Sequence, residues 1–379
     1  IGCHLYRGGV APSNQRSKPM FDTTRRRTLQ ALGLGGAASL AGCSSSAPTA
    51  DNTQAATGTP TEAVSTPQSV DADRIAADPL DIPDPIDRDT PAEVDVTLRS
   101  EEVVAEIEDG VTFSYMTYGG QVPGPLVRVR QGDTVNLTFE NAESNSMPHN
   151  VDFHACAGPG GGAEATMTAP GESAELRFQA TYPGAYIYHC AVPNMDMHIS
   201  AGMFGIILVE PPEGLPEVDH EIYIGQHEVY TDKPAGEEGH HSFDMDAMVS
   251  EEPSYVLMNG EKYALTPNAH GPAVTAGTDE TVRVFFVDGG PNLASSFHPI
   301  GSVWETLYPA GSLSTDPQTH IQTRQVAPGS TTVATMNSTV PGDLKLVDHS
   351  LSRVARKGCM AIVRAEGEER PEIFDPDPA

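Results

Sequence analysis

Tyr186-Ile-Tyr-His-Cys-Ala-Val-Pro-Asn-Met-Asp-Met-His-Ile-Ser-Ala-Gly-Met-Phe-Gly-Ile-Ile-Leu-Val209 decides the fold. It opens on Tyr186-Ile-Tyr and closes on Gly205-Ile-Ile-Leu-Val, short runs of β-branched and aromatic residues that predict strands. Upstream, Thr134-Val-Asn-Leu-Thr-Phe and Ala174-Glu-Leu-Arg-Phe have the same character, with Gly and Pro between them, and no helix-period stretch of useful length follows residue 93. Many short strands punctuated by turns predict an all-β sandwich. The second half repeats the first. Gly132-Asp-Thr-Val-Asn-Leu matches Gly277-Thr-Asp-Glu-Thr-Val-Arg-Val, Asp152-Phe-His154 matches Ser296-Phe-His298, and Ala169-Pro-Gly matches Ala327-Pro-Gly. Another Pro-Gly follows at equal distance in each copy, at Pro183 and Pro341, and Gly202-Met-Phe-Gly-Ile-Ile-Leu-Val matches Gly358-Cys-Met-Ala-Ile-Val. Ordered matches at near-constant spacing predict two tandem Greek-key β-sandwiches, 93–211 and 217–368, joined at the Pro-rich stretch 211–216, with an acidic tail at 369–379.

Ahead of the sandwiches, residues 1–43 predict pre-start residues and an export address. From Met20 the chain has Arg25-Arg-Arg27, a short apolar stretch and Leu40-Ala-Gly-Cys43. The stretch is too short to span a membrane. Paired Arg before it resembles a Tat signal, and the tetrapeptide resembles a lipoprotein box that would make Cys43 a lipidated first residue, outside the cytoplasmic membrane. An ordinary signal with a chance LAGC is the plainer alternative. Residues 44–92, rich in Ser, Thr, Ala, Pro and Asp, predict a disordered tether. Asn136-Leu-Thr and Asn337-Ser-Thr are weak glycosylation sequons.

The 379 residues carry 52 acidic against 22 basic side chains, a formal charge of -30, and only five of the basic ones are Lys. Nucleic acid and anionic membrane are poor partners for such a surface. It suits a halophile, since self-repulsion is screened over about 3 Å at 1 M salt; an acidic secreted protein is the ordinary alternative. Five scattered Cys (3, 43, 156, 190, 359) form no disulfide framework.

The loop after Tyr188 supplies Cys190, His198 and Met203 in the pattern C-x7-H-x4-M, with His149 further upstream. A lone Cys is usually a small hydrophobe and a lone Met core filler. Together, two His, a Cys and a Met are the ligands of a blue-copper site, with imidazoles and thiolate in a plane and a weak axial thioether. Met195 and Met197 precede His198, so Met203 is the axial candidate. Three more His occupy suggestive places: His154, His189 and His349. Three imidazoles with an open fourth position suit a catalytic metal. Successive strand residues face opposite ways, so Cys190 can face one metal and His189 another.

His149-Asn-Val-Asp-Phe-His154, Gly160-Gly-Gly162, Tyr188-His-Cys190, Ser296-Phe-His-Pro-Ile-Gly301 and Asp348-His349 together resemble the two-domain copper nitrite reductases, over residues 93–368. The eight-residue step from Cys190 to His198 is similar to their shorter-loop class. The resemblance implies two cupredoxin-like domains, two copper ions per chain, and dissimilatory reduction of nitrite to nitric oxide. It implies a type 1 copper on His149, Cys190, His198 and Met203. A type 2 copper would lie on His154 and His189 of one subunit and His349 of the next, in a homotrimer. Asp152 and His298 would serve as proton donors, Ile300 as the apolar pocket wall, and a blue copper protein or c-type cytochrome as electron donor. For Asp152 alone the plain reading is a solvated strand carboxylate, and for His298 a satisfied core His.

Gln322-Thr323 stands where many relatives have Glu-Thr, which leaves Thr323 to orient His298. Cys156 and Cys359 are expected as buried thiols, with a disulfide or a labile ligand left open. Three rival functions fit less of the sequence. A laccase-type oxidase needs His-x-His pairs and His-Cys-His, yet Ala follows Cys190 and no His-x-His occurs. A simple blue-copper carrier leaves three His unused, and an adhesive lipoprotein makes all of them accidental.

Overall fold

The computed structural model describes Glu62–Ala63 and residues 74–378. The expected export signal with Cys43, and the tether as far as residue 73 apart from Glu62–Ala63, lie outside the described residues.

The first half builds two sheets, one of which takes its edge strand, Gly239–His241, from the second half. One runs in the order Gly239–His241, Val111–Tyr118, Glu93–Glu108, Thr134–Asn141, Ser173–Gln179; the other runs Val127–Arg130, Phe204–Glu210, Gly184–His189, Asp152–Phe153. Along Glu93–Glu108 the residues Val94, Val96 and Leu98 are buried while Glu93, Asp95 and Thr97 face out, the alternation of a sheet with one wet face. Those three pack with Leu137, Phe139, Phe153, Tyr188, Cys190, Ile207 and Val209 into the core between the two sheets.

The second half repeats the plan. One sheet runs Tyr255–Met258, His220–Val229, Val282–Gly290, Ser330–Met336, Trp304–Tyr308, Gln318–Ile321, and the other Val274–Gly277, Met360–Glu366, Gly342–Asp348, Ser295–Ile300, Arg324–Val326. Its core includes Val284, Phe286, Phe297, Trp304, Leu346 and Val363. The fold is all-β, and the α-helices described, Met195–Ser200, Met245–Val249 and Ser352–Lys357, are single short turns. A third apolar cluster joins the halves: Ile206 and Leu208 on one side meet Tyr223, Phe285, Val287 and Val333 on the other. The strand Phe204–Glu210 is therefore buried on both faces. That is why Ile206-Ile-Leu-Val209 reads as a continuous apolar run rather than an alternating one.

One expectation needs correcting. The tether does not extend to residue 92. Ile75, Ala76 and Ala77 are at most 1% exposed. Their segment pairs by Ala77 N–H to the Val122 carbonyl at 3.0 Å and Val122 N–H to the Ile75 carbonyl at 2.9 Å. Glu261 Oε1 accepts the N–H groups of Ile75 and Ala76 at 3.0 and 2.9 Å. Further on, the Pro83 carbonyl accepts Arg128 Nη1 at 2.8 Å. A segment this poor in large apolar residues cannot make its own core. It is fixed because the body satisfies its main-chain groups.

Candidate metal centres

His189 is the last residue of Gly184–His189, and Asp152 pairs with it directly across the sheet. Cys190 follows, facing the first core. The chain then turns through the short helix Met195–Ser200, which carries His198 in its last turn, and returns to Met203. Cys190 N–H donates to the Met203 carbonyl at 3.2 Å and Met203 N–H to the His198 carbonyl at 3.0 Å, so the main chain closes the loop on itself.

Within that loop the side chains converge. Cys190 Sγ is 3.5 Å from His198 Nδ1 and 3.9 Å from His149 Nδ1, and the two imidazole centroids are 5.2 Å apart. His149, Cys190, His198 and Met203 are all at 0% exposure. His149 Nε2 donates to Glu102 Oε1 at 3.0 Å, which turns its Nδ1 lone pair toward the thiol. Burial lowers the His149 imidazole, against the pull of Glu102. Burial and the neighbouring His149 push His198 down to about 4. Both rings are therefore neutral and free to ligate at pH 7. His198 Nε2 is buried with no hydrogen-bond partner. Burial raises the Cys190 thiol, opposed by main-chain hydrogen bonds from Val192, Asn150 and Ala191.

The second cluster lies on the other side of the same dipeptide. His154 Nε2 and His189 Nε2 stand 3.1 Å apart, their rings crossing at 77°. That spacing suits two imidazoles on one first-row ion with bonds of about 2.0–2.1 Å. Among the described residues, Asp152 brings a carboxylate oxygen within 4.8 Å of both ring nitrogens. His189 Nδ1 meets the Cys190 carbonyl at 3.0 Å, which directs Nε2 outward. His154 is exposed while His189 is 8% exposed, so the cluster opens onto the surface. Partial desolvation and His189 hold the His154 imidazole below its ordinary value, against Asp152.

His349 does not join this cluster within the chain. It sits in the exposed turn after Gly342–Asp348, its ring 5.2 Å from that of His298. Asp348 shapes this turn: Oδ1 accepts the N–H groups of Ser296 and Ser350, each at 2.9 Å, and Oδ2 pairs with Arg353 at 2.6 Å. Ile300, 40% exposed, lies on the same strand face as His298. At Gln322 it is the main-chain carbonyl, not the side chain, that accepts the short hydrogen bond from His298 Nδ1. Cys156 and Cys359 are free thiols. Cys359 is fully buried against Gln226 Oε1 at 3.3 Å, whereas Cys156 is only half-buried, contrary to expectation.

Several residues escaped the sequence reading. Glu102 takes hydrogen bonds from His149, Met147 and both Ser146 donors; burial pushes its carboxyl up, but these bonds outweigh it and hold it low. Asn150 Oδ1 accepts Ala191 N–H at 2.7 Å beside the thiol. Gly161, at φ +53°, lies so close that an added Cβ would stand 1.9 Å from Asp152 Oδ1. The Gly160-Gly-Gly162 run was visible, but not what it touches.

A copper-containing nitrite reductase of Neisseria meningitidis serogroup B is 45% identical over 302 residues, covering 80% of this chain and 76% of the relative. The chain belongs to the copper-containing nitrite reductases. The enzyme of that name from Alcaligenes xylosoxydans is 34% identical, with 72% and 86% coverage. The solved copper nitrite reductase of Nitrosomonas europaea superposes with a TM-score of 0.65 at 33% identity, covering 74% of this chain and 96% of that one. A profile described as multicopper oxidase matches residues 100–214. A solved multicopper oxidase, 24% identical with a TM-score of 0.60, shares the fold alone. As a nitrite reductase this chain is an oxidoreductase that uses copper. Its residues fit the metal: a cysteine sulfur and imidazoles are its ligand set, and in the two clusters these atoms face one another at 3.1–3.9 Å.

Proposed function

We propose that the chain reduces nitrite to nitric oxide, one electron and two protons yielding nitric oxide and water. In this reading His149, Cys190, His198 and Met203 hold a type 1 copper, and His154, His189 and the neighbouring subunit's copy of His349 hold a type 2 copper. Bound there, the metal supplies a one-electron couple at the first position and a Lewis acid for nitrite at the second. The observation that carries this is the Cys190-His189 dipeptide: adjacent residues belong to two clusters, so their backbone is a covalent path for the electron.

The remaining work falls to protein side chains. An oxygen of nitrite leaves as water, so proton donors are required beside it. Asp152 reaches the mouth of the open cluster, backed by Gly161. His298, its Nδ1 proton spent on the Gln322 carbonyl, keeps Nε2 to take and give the second proton. His349 and His298 stand together on an exposed face with Ile300. Assembly of a homotrimer would bring that face to a neighbour's His154 and His189, with Ile300 as the apolar wall of the nitrite pocket. The electron donor is a small blue copper protein or c-type cytochrome, met outside the cytoplasmic membrane by an enzyme anchored through Cys43. Anaerobic nitrite reduction with an artificial donor, with and without copper chelation, tests the reading. Two coppers per chain and nitric oxide evolution are expected; one copper per chain overturns the two-site arrangement.

A further inference from the structure

The two buried imidazoles beside Cys190 are unequal: His149 has a carboxylate behind it, whereas His198 has no hydrogen-bond partner on its far nitrogen. We propose that Glu102 tunes the buried centre, lowering its reduction potential by placing negative charge behind His149. This rests on the copper assignment proposed above for that cluster. Glu102 comes from Glu93–Glu108, far in sequence from the loop it touches. Its Oε1 accepts His149 Nε2 and Met147 N–H, both at 3.0 Å, while Oε2 accepts Ser146 N–H at 3.0 Å and the Ser146 hydroxyl at 2.6 Å. The Glu102 N–H in turn donates to Asn145 Oδ1 at 2.7 Å, so side chain and main chain both lock the turn that leads into His149.

Four donors converging on one carboxylate favour its ionised form. Since His149 is fully buried, its Nε2 proton is directed at that carboxylate. A carboxylate on the far N–H makes an imidazole a more basic ligand. The added electron density stabilises the more highly charged Cu(II) over Cu(I), which lowers the potential. The Ser146 hydroxyl works against this by drawing charge to Oε2.

Redox titration of the thiolate-to-copper visible band, on copper-loaded full-length chain, tests both parts. Glu102→Gln should raise the reduced-to-oxidised ratio about tenfold at fixed potential, which is 59 mV upward for a one-electron couple. Ser146→Ala, a change on the surface, should shift the ratio the other way by about twofold, because the carboxylate keeps more charge for His149. A mere clamp on the turn predicts no such reversal of sign. If Glu102→Gln does not fold, the direction of the Ser146→Ala shift decides alone. An unmoved or upward potential in Ser146→Ala, or an unmoved one in Glu102→Gln, overturns the inference while leaving the copper assignment standing. A wild-type chain that takes up copper with no visible band overturns both.

Discussion

His149, Cys190 and His198 are all sealed at 0% exposure inside a single sandwich, while His154 lies open beside His189 and the third expected ligand, His349, stands elsewhere on the chain beside His298. The difference separates two chemical tasks. A sealed ligand set held by strand ends and a main-chain loop leaves no room for substrate and little freedom to rearrange, which suits electron transfer. An open pair of imidazoles with a carboxylate at its mouth leaves room for substrate and for a further ligand, which suits catalysis. In the proposed arrangement the first centre would belong to one chain and the second to an assembly.

The sharpest way to break this contrast is His349→Ala. Nitrite reduction should fall to background and the second copper should be lost, with the visible band of the first unchanged; retained turnover would show that the open cluster is complete without it. Asp152→Asn keeps shape but removes the proposed proton donor, so turnover should fall by about 10²–10⁴-fold at full copper occupancy. Copper quantitation beside the rate separates that from metal loss. Gly161→Ala places a methyl against Asp152 and should cost about 10–100-fold through misplacement of the carboxylate, again with the visible band intact. An unchanged rate would mean that Asp152 has freedom the packing denies it.

The smallest effect is on stability. Burial takes His198 and His227 down to about 4, below the ~6.5 of an unfolded His. The folded chain then excludes a proton that the unfolded chain binds, so this contribution is whole above pH ~6.5 and is lost as pH falls toward 4. It amounts to up to about 3 kcal/mol for each group. Burial acts oppositely on Asp288, raised well above its ordinary value, which favours the fold on acidification. The paired difference is therefore the useful quantity. In the metal-free chain, the drop in Tm from pH 7 to pH 4.5 should be smaller for His227→Gln than for wild type; equal drops would remove His227 from the account.

Much of this was legible because the ligands sit where sequence is most informative, at strand ends and in one loop between two apolar runs. Cys190 and His189 could be assigned opposite faces from the two-residue period of a strand alone. The repeat disclosed the second sandwich by the same kind of signal. Glu102 was not legible: it is one carboxylate among 52 acidic residues, and only the pairing of distant strands brings it to His149. Asp348 was visible beside His349, but its role in shaping the turn was not, since two of its partners are main-chain N–H groups and the third, Arg353, is a side chain whose pairing only the fold reveals. Composition misjudged residues 74–92, because Ala and Asp carry little apolar area while the groups that fix them, Glu261, Asn259 and Val122, lie on other elements.

The bond from His298 to the Gln322 carbonyl has an evolutionary corollary. Every amino acid brings the same backbone oxygen, so drift at position 322 can change the side chain without touching the clamp. A saturation library there should yield mostly active enzymes, with Pro as the expected exception because it constrains the backbone rather than because it lacks a chemical group.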